Sequence, residues 1–244
     1  ILPMASNAAD ERTPDQAFKA TLPCGGTIEL IGARKTGTNK WWRPDGTPLV
    51  EAPYDVSEGT DRSGGYEVAL RYENLPKGSA GGMEIEGRVW GGTIPMWYAE
   101  LQKAGKPIEG VTYVIVSAQE LETTTVRVYL ATGDWTTDST HHRSSNGWNA
   151  LAHGGPVIGS IICSMPYERE GRTYATVTYS ALEKNKCDVR LTALDVSNVE
   201  HLSDDLGGLW TSAGFAQITP DFNLPLDDVA AFNLQTRPYT WIEF

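Results

Sequence analysis

A cluster of histidines and aspartates comes closest to a metal-binding pattern. His141 and His142 are adjacent, His153 follows, and Asp134 and Asp138 lie just before them. Zinc takes nitrogen and oxygen ligands of these types. Adjacent side chains in a strand point to opposite faces, however, and the surrounding Thr, Ser, Asn and Gly residues are typical of a loop. We therefore predict an exposed loop here, with no metal site and no cofactor.

Two acidic pairs have the carboxylate oxygens that calcium binds. Calcium prefers carboxylate oxygens at spacings such as D-x-D-x-D-G. Neither Asp204-Asp205 nor Asp227-Asp228 has this spacing. The first pair is predicted to lie in a loop. The second suits the N-terminus of a short helical turn at 225–230, where the helix dipole favours negative charge.

The sequence contains no pattern that identifies a catalytic nucleophile or acid. A G-x-S-x-G nucleophile elbow is absent, and Ser160, Cys163 and Ser164 lie in an apolar, strand-like run. The acid pair of a glycoside hydrolase meets only in the folded chain, so spacing cannot reveal it. With 31 acidic residues, any fold would bring some pair together. We predict no catalytic residue. A glycoside hydrolase-like enzyme ranks third among the functional interpretations, after a binding or protein-interaction module and a carbohydrate-binding module.

Aromatic residues beside turns and glycines are the stronger candidates for a binding site. Exposed indoles form flat platforms that suit sugars or partner side chains, although they also fill space between two sheets. The predicted ligand-binding residues are Trp42, Trp97, Tyr98, Trp135 and Trp148.

Three tryptophans lead to specific predictions about burial. Trp41 and Trp42 run into the turn sequence Arg-Pro-Asp-Gly. Because neighbouring side chains of a strand face opposite ways, we predict that Trp41 points inward and Trp42 lies at the surface. Trp241 lies in an alternating C-terminal segment and is predicted to be a core residue.

The elements that must position these residues are mostly strands. Apolar residues alternate with polar ones in short runs between Gly, Pro, Asn and Asp, as expected of half-buried strands. The runs at 173–179 and 187–194 are predicted to form a hairpin. The segment 95–104 begins with a proline and is followed by a glycine, a pattern that is compatible with a helix. The predicted strands are 27–32, 66–72, 83–90, 111–117, 124–130, 156–165, 173–179, 187–194, 231–236 and 239–244.

This pattern predicts an all-β fold, an antiparallel β-sandwich or jelly roll with very little helix. We divide the chain into a flexible lead-in at 1–20, a first sandwich at 21–125 and a second sandwich at 126–244. One large sandwich is the alternative.

Charge and hydropathy exclude two classes of partner. Asp and Glu outnumber Lys and Arg by 31 to 20, which gives a formal net charge of −11. Such a surface repels phosphate backbones, so nucleic acid is not expected as a partner. No apolar run approaches the roughly 20 residues that span a bilayer, so direct membrane insertion of this segment is not expected. The odd number of cysteines favours separate buried thiols over a Cys163–Cys187 bridge.

Three stretches resemble an uncharacterised all-β module of large bacterial envelope and signalling proteins. They are Trp-Trp-Arg-Pro-Asp-Gly at 41–46, the Leu75-Pro76 step after the strand at 66–72, and Leu-Gln-Thr-Arg-Pro-Tyr-Thr-Trp-Ile-Glu-Phe at 234–244. The resemblance covers 21–244. Some members of this family follow an antirepressor-type membrane metallopeptidase segment or a sigma-factor-like segment, and members continue past this point with a further strand. The resemblance therefore implies an extracytoplasmic fragment of a larger protein, and it supplies no catalytic residues.

These observations predict a non-enzymatic, extracytoplasmic module that binds a ligand or interacts with a protein, as a sensor or accessory part of a larger bacterial protein. A carbohydrate-binding module that uses turn-borne tryptophans is the alternative.

Overall fold

The computed structural model describes about three quarters of the chain, and almost every element in it is a β-strand. No helix in the described part of the chain is long and apolar enough to cross a membrane. The described residues are 18–55, 65–85, 88–90, 101–116, 125–148, 151–154, 158–180, 186–203, 209–212 and 214–244.

The chain forms two compact units. Unit 1 comprises Ile1–Thr132 and Thr240–Phe244, and unit 2 comprises Gly133–Tyr239. The strand Val126–Ala131, which the sequence prediction assigned to the second sandwich, pairs with strands of unit 1. The strand Lys19–Thr21 overlaps the predicted lead-in and pairs with the strand that follows it.

Unit 1 begins with β1 (Lys19–Thr21), β2 (Thr27–Lys35), β3 (Trp41–Trp42), β4 (Pro48–Leu49), β5 (Tyr66–Glu73), β6 (Ala80–Ile85), β7 (Arg88–Trp90), β8 (Gln102–Lys103), β9 (Lys106–Pro107), β10 (Val111–Val116) and β11 (Val126–Ala131). Unit 2 contains β12 (Thr136–His142), β13 (Leu151–Gly154), β14 (Ser160–Cys163), β15 (Tyr167–Arg169), β16 (Arg172–Tyr174), β17 (Val177–Ser180), β18 (Cys187–Asp195), β19 (Glu200–Leu202), β20 (Leu209–Ser212), β21 (Phe215–Ile218), β22 (Asp221–Phe222), a 3-10 helix (Leu226–Asp228) and β23 (Val229–Pro238). The final strand, β24 (Thr240–Glu243), returns to unit 1.

Two antiparallel sheets pack face to face in unit 1. The first has the order β10-β5-β2-β3-β4, with β1 also paired to β2, and the second has the order β24-β11-β6-β7. Side chains of β2 alternate between buried and half-buried, as one buried face requires. Ile28 and Leu70 of the first sheet share a core cluster with Met83, Val128 and Leu130 of the second. This burial of large aliphatic side chains stabilises the sandwich.

The first sheet of unit 1 also carries a smaller cluster of buried residues. Trp41, Tyr54, Ala69 and Leu101 are its members. Tyr54 precedes β5 and Leu101 precedes β8. Residues of connecting segments therefore pack against this sheet and form part of the cluster. Both faces of this sheet therefore carry packed apolar side chains.

Unit 2 is built around a second sandwich core. One sheet has the order β12-β23-β18-β19, another has the order β13-β14-β17-β21-β20, and β15-β16-β22 form a small third sheet. Leu191 and Leu234 of the first sheet, Ile161 and Val177 of the second, and Phe222 of the third belong to one cluster. All strand pairings are antiparallel among the described residues. The prediction of an all-β antiparallel sandwich fold is confirmed.

The predicted hairpin of 173–179 with 187–194 is wrong. β17 pairs with β14 and β21, whereas β18 pairs with β19 and β23 in a different sheet. The chain crosses between sheets after β17 instead of turning back beside it. A polar connection of this length suits either path, so the local sequence could not distinguish them.

The predicted helical elements have different outcomes. The turn at 225–230 is confirmed as the 3-10 helix, with Asp227 and Asp228 in its first turn. The predicted helix at 95–104 lies mostly outside the described residues, and its end at Gln102–Lys103 belongs to β8. The predicted loop around His141 is wrong, because Thr136–His142 is β12.

Candidate binding surface

The alternation predicted for Trp41 and Trp42 is confirmed. Trp41 is buried, and Trp42, its neighbour in β3, is 37% exposed. The turn that follows is held by Asp45, whose Oδ1 accepts hydrogen bonds from the backbone N–H and the Oγ1 of Thr47 at 2.8 and 2.7 Å. Gly46 has a φ of 82°, a conformation that glycine adopts without a steric penalty. The turn therefore places Trp42 on the surface of unit 1.

Trp135 is in contact with two arginines of its own unit. The guanidinium carbons of Arg190 and Arg237 lie 4.3 and 4.2 Å from the centroid of its ring. Asp188 accepts a hydrogen bond of 2.7 Å from Nη2 of Arg237, and Gln235 accepts one of 2.8 Å from Nε of Arg190. The indole thus takes part in a cation–π network on the sheet that contains β18 and β23.

The other predicted binding residues lie in different places. Trp148 is buried and packs against His141 and Phe232, with ring centroids 5.3 and 5.0 Å away. Its ring therefore fills the core of unit 2. Trp97 and Tyr98 lie outside the described residues. Trp42 belongs to unit 1, and Trp135 and Trp148 belong to unit 2.

Trp241 is not a core residue, which overturns the prediction for this position. Its side chain is 41% exposed, whereas Ile242 and Phe244 pack against the core of unit 1. Side chains alternate along β24, so Trp241 shares the outer face with Glu243. The charge at Glu243 was the available signal, because a carboxylate two residues away marks the outer face of a strand.

An aromatic pair, exposed Trp241 and buried Tyr129, lies on the outer face of the sheet β24-β11-β6-β7. The rings of Trp241 and Tyr129 have centroids 5.0 Å apart and planes inclined by 43°. Tyr129 is the register partner of Trp241 on one side and of Gly82 on the other. A Cβ at Gly82 would overlap the phenol of Tyr129, so the tyrosine ring lies over the glycine. Burial raises the pKa of Tyr129, and the charge of Glu84 adds to this effect.

A charged row lies beside the aromatic pair, two residues further along the strands. Arg127 is the register partner of both Glu243 and Glu84. Its Nε donates a hydrogen bond of 2.8 Å to Glu243, and its Nη1 lies 3.8 Å from a carboxylate oxygen of Glu84. We define the Trp241 surface as Trp241, Tyr129, Arg127, Glu84 and Glu243. It combines an open aromatic plane with hydrogen-bond donors and acceptors at one sheet face.

Unit 2 contains a small cavity lined by His141, Cys163, Ser164 and Thr176, among others. Its volume is about 10 Å³, which is close to the minimum for one water molecule. Burial raises the pKa of the Cys163 thiol to about 11. A thiol with this pKa is protonated at neutral pH and is a poor nucleophile. This cavity is therefore far smaller than a ligand pocket, and its thiol is not an activated nucleophile.

The cysteines should differ in reactivity, because Cys24 is exposed while Cys163 and Cys187 are buried and unbridged. We expect Ellman's reagent to modify one thiol per native chain quickly and all three after denaturation. A spectrophotometric time course with and without guanidinium chloride measures both numbers. A Cys24→Ser variant, which should lose the fast phase alone, is the control. Rapid reaction of two or three native thiols would contradict the burial of Cys163 and Cys187.

The described residues bring together no group of three or more His, Cys, Asp or Glu side chains that could hold a metal ion. Within β12, His141 is buried and His142 is exposed, because they point to opposite faces. The side chain of His153 and the pair Asp204-Asp205 lie outside the described part of the structure.

By its fold, the chain belongs to the class of all-β sandwich proteins. No protein family, curated protein or solved structure matches it.

Proposed function

We propose that this chain is a non-enzymatic, extracytoplasmic module that binds a ligand or interacts with a protein, as part of a larger bacterial protein. The Trp241 surface is the observation that carries the proposal. The indole of Trp241 is exposed to solvent and packs against Tyr129. The ion pair of Arg127 and Glu243 lies beside it. Exposed aromatic residues with a polar rim are typical of recognition sites.

The chemistry of the described residues favours binding over catalysis. The cavity in unit 2 is about the size of one water molecule, and ligand pockets are far larger. Burial raises the pKa of Asp188, but Arg237 holds this carboxylate in an ion pair at 2.7 Å. A carboxylate paired in this way is a structural group and not a free general acid. These features disfavour the hydrolase alternative.

Charge limits the partners of the proposed module. A net charge of −11 opposes binding to nucleic acid and to other polyanions. The extracytoplasmic location and the larger parent protein are supported by the family resemblance alone. Within that setting, polysaccharides and envelope proteins are the ligands that the module would meet.

Carbohydrate binding is the second candidate function. It is favoured by the open Trp241 ring on a sandwich face, because indole rings offer flat contact area at a low cost in conformational entropy. Trp42 is a further exposed indole in unit 1.

Biolayer interferometry with the immobilised chain tests the proposed function. One panel contains soluble polysaccharides and peptidoglycan fragments, and the other contains purified envelope proteins and the remaining domains of the parent protein. We expect saturable binding to at least one member, and mass spectrometry should show that this ligand remains intact. Cleavage of the ligand, or no saturable binding in either panel, would contradict the proposal.

A further inference from the structure

The Trp241 ring is exposed, and it packs against one ring of the neighbouring strand. Tyr129 supports it from the neighbouring strand at a centroid distance of 5.0 Å. Tyr129 itself is buried, and it lies over Gly82, where any side chain would displace it. A side chain that is already ordered loses little conformational entropy on binding. This arrangement is suited to stacking against a rigid, flat ligand.

The charged row lies at a suitable distance to hydrogen-bond the edge of that ligand. Two residues of a strand span about 7 Å, which is comparable to the width of a pyranose ring with its hydroxyl groups. Arg127 has five N–H donors, and its contacts with Glu243 and Glu84 engage only some of them. Each carboxylate also has lone pairs beyond its contact with Arg127. Neighbouring hydroxyls of a sugar can donate to the carboxylates and accept from the guanidinium.

The negative charge of the Trp241 surface disfavours anionic sugars as ligands. The row contains two carboxylates and one guanidinium, and the whole chain is strongly acidic. Uronate, sulfate or phosphate groups on a glycan would be repelled by this surface. A neutral sugar carries no charge that this surface would repel. Among neutral and anionic glycans, the surface therefore favours the neutral ones.

We propose that the Trp241 surface is a subsite for a pyranose unit of a neutral polysaccharide. Trp241 stacks against the face of the sugar ring, and Arg127, Glu84 and Glu243 bind its hydroxyls. Trp241, Arg127 and Glu243 are exposed on a sheet face, so they contact a unit within a polymer and have no need of a chain end. This inference rests on the proposed binding function, and it adds the site and the class of ligand.

Affinity electrophoresis tests the inference. Native gels contain xylan, galactomannan or hydroxyethyl cellulose as neutral polymers, and polygalacturonate or alginate as anionic ones. We expect at least one neutral polymer to retard the wild-type chain. Trp241→Ala should weaken that binding about tenfold or more, as expected for an aromatic hot spot. Arg127→Met should weaken it to a smaller extent.

Phe215→Ala is the matched control, because Phe215 is an aromatic residue that is exposed to a similar degree but lies in unit 2. Its retardation should equal that of the wild type. Near-UV circular dichroism of each variant verifies folding, and Arg127→Met tests the site without removing an aromatic ring.

Three results would overturn the inference. If Trp241→Ala and Arg127→Met are retarded as strongly as the wild type, the site is wrong, although the binding function stands. If only anionic polymers retard the chain, the class of ligand is wrong. If no polysaccharide retards it while an envelope protein binds in the interferometry panels, the Trp241 surface is not a sugar site and the module is a protein-interaction module.

Discussion

Arg34→Met is expected to lower the free energy of unfolding of unit 1 by about 3–5 kcal/mol, because it leaves a carboxylate buried without its cation. Arg34 and Glu67 are both almost fully buried, and Nη2 of Arg34 donates a hydrogen bond to Glu67. Tyr54 is buried beside them, and its hydroxyl donates to the other oxygen of Glu67. The carboxylate therefore depends on two donors and has no access to solvent.

The surroundings of Arg34 explain why its loss cannot be compensated locally. Nη1 of Arg34 donates to the backbone carbonyl of Thr38 at 2.7 Å, and its guanidinium lies 5.5 Å from the ring centroid of Trp41. Burial and the hydrogen bond to Glu67 raise the pKa of Tyr54, so this phenol remains protonated and continues to donate. One neutral donor cannot replace the charge of the missing arginine.

Urea unfolding monitored by circular dichroism measures this effect. The double variant Arg34→Met/Glu67→Leu is the control, because removal of both charges often restores most of the stability of a buried ion pair. Tyr54→Phe removes a single neutral donor and should cost about 1–3 kcal/mol. A single variant that unfolds like the wild type, or a double variant that is as unstable as Arg34→Met, would contradict this account.

Phe232→Ala should destabilise unit 2 by about 3–5 kcal/mol, the usual cost of removing a buried phenylalanine ring. The Phe232 side chain is 3% exposed, and its ring centroid lies 5.0 Å from that of Trp148 and 5.7 Å from that of Phe222. Its removal leaves a void between two other rings that cannot both move to fill it. The contacts of Trp148 should make its fluorescence sensitive to the change.

Phe215→Ala provides a matched control for the same chemical change. Phe215 lies in the same unit and is 48% exposed, so its removal should change stability by no more than about 0.5 kcal/mol. Guanidinium chloride unfolding, followed by tryptophan fluorescence, compares the two variants. Equal losses of stability would contradict the assigned core of unit 2.

Alternation along the chain was sufficient to predict most strands but not how they pair. The runs at 27–32 and 66–72 lie within β2 and β5. Burial alternates along β2, whereas β5 buries four consecutive residues because both faces of its sheet are covered. The segment at 173–179 reads as one strand, yet it forms parts of β16 and β17 in different sheets. Pairing depends on contacts that are distant in sequence, which local patterning does not contain.

The aromatic residues show the same limit for the candidate site. The phase of alternation correctly separated Trp41 from Trp42. For Trp241, the size and hydrophobicity of the indole favoured the core, although Ile242 and Phe244 occupy the inward phase. Arg190 of β18 and Arg237 of β23 stack on Trp135, which directly precedes β12. These residues are distant in sequence, so their spacing could not predict the contact.

Calorimetric titration of xylan, galactomannan and hydroxyethyl cellulose into the chain tests most directly whether it binds a ligand without transforming it. The account predicts two results for at least one polymer. The heat flow returns to the baseline after each injection, and the heat released per injection declines to zero as the sites saturate. A heat flow that continues between injections would reveal turnover and contradict a non-enzymatic module. No heat with any polymer would contradict the sugar site at Trp241.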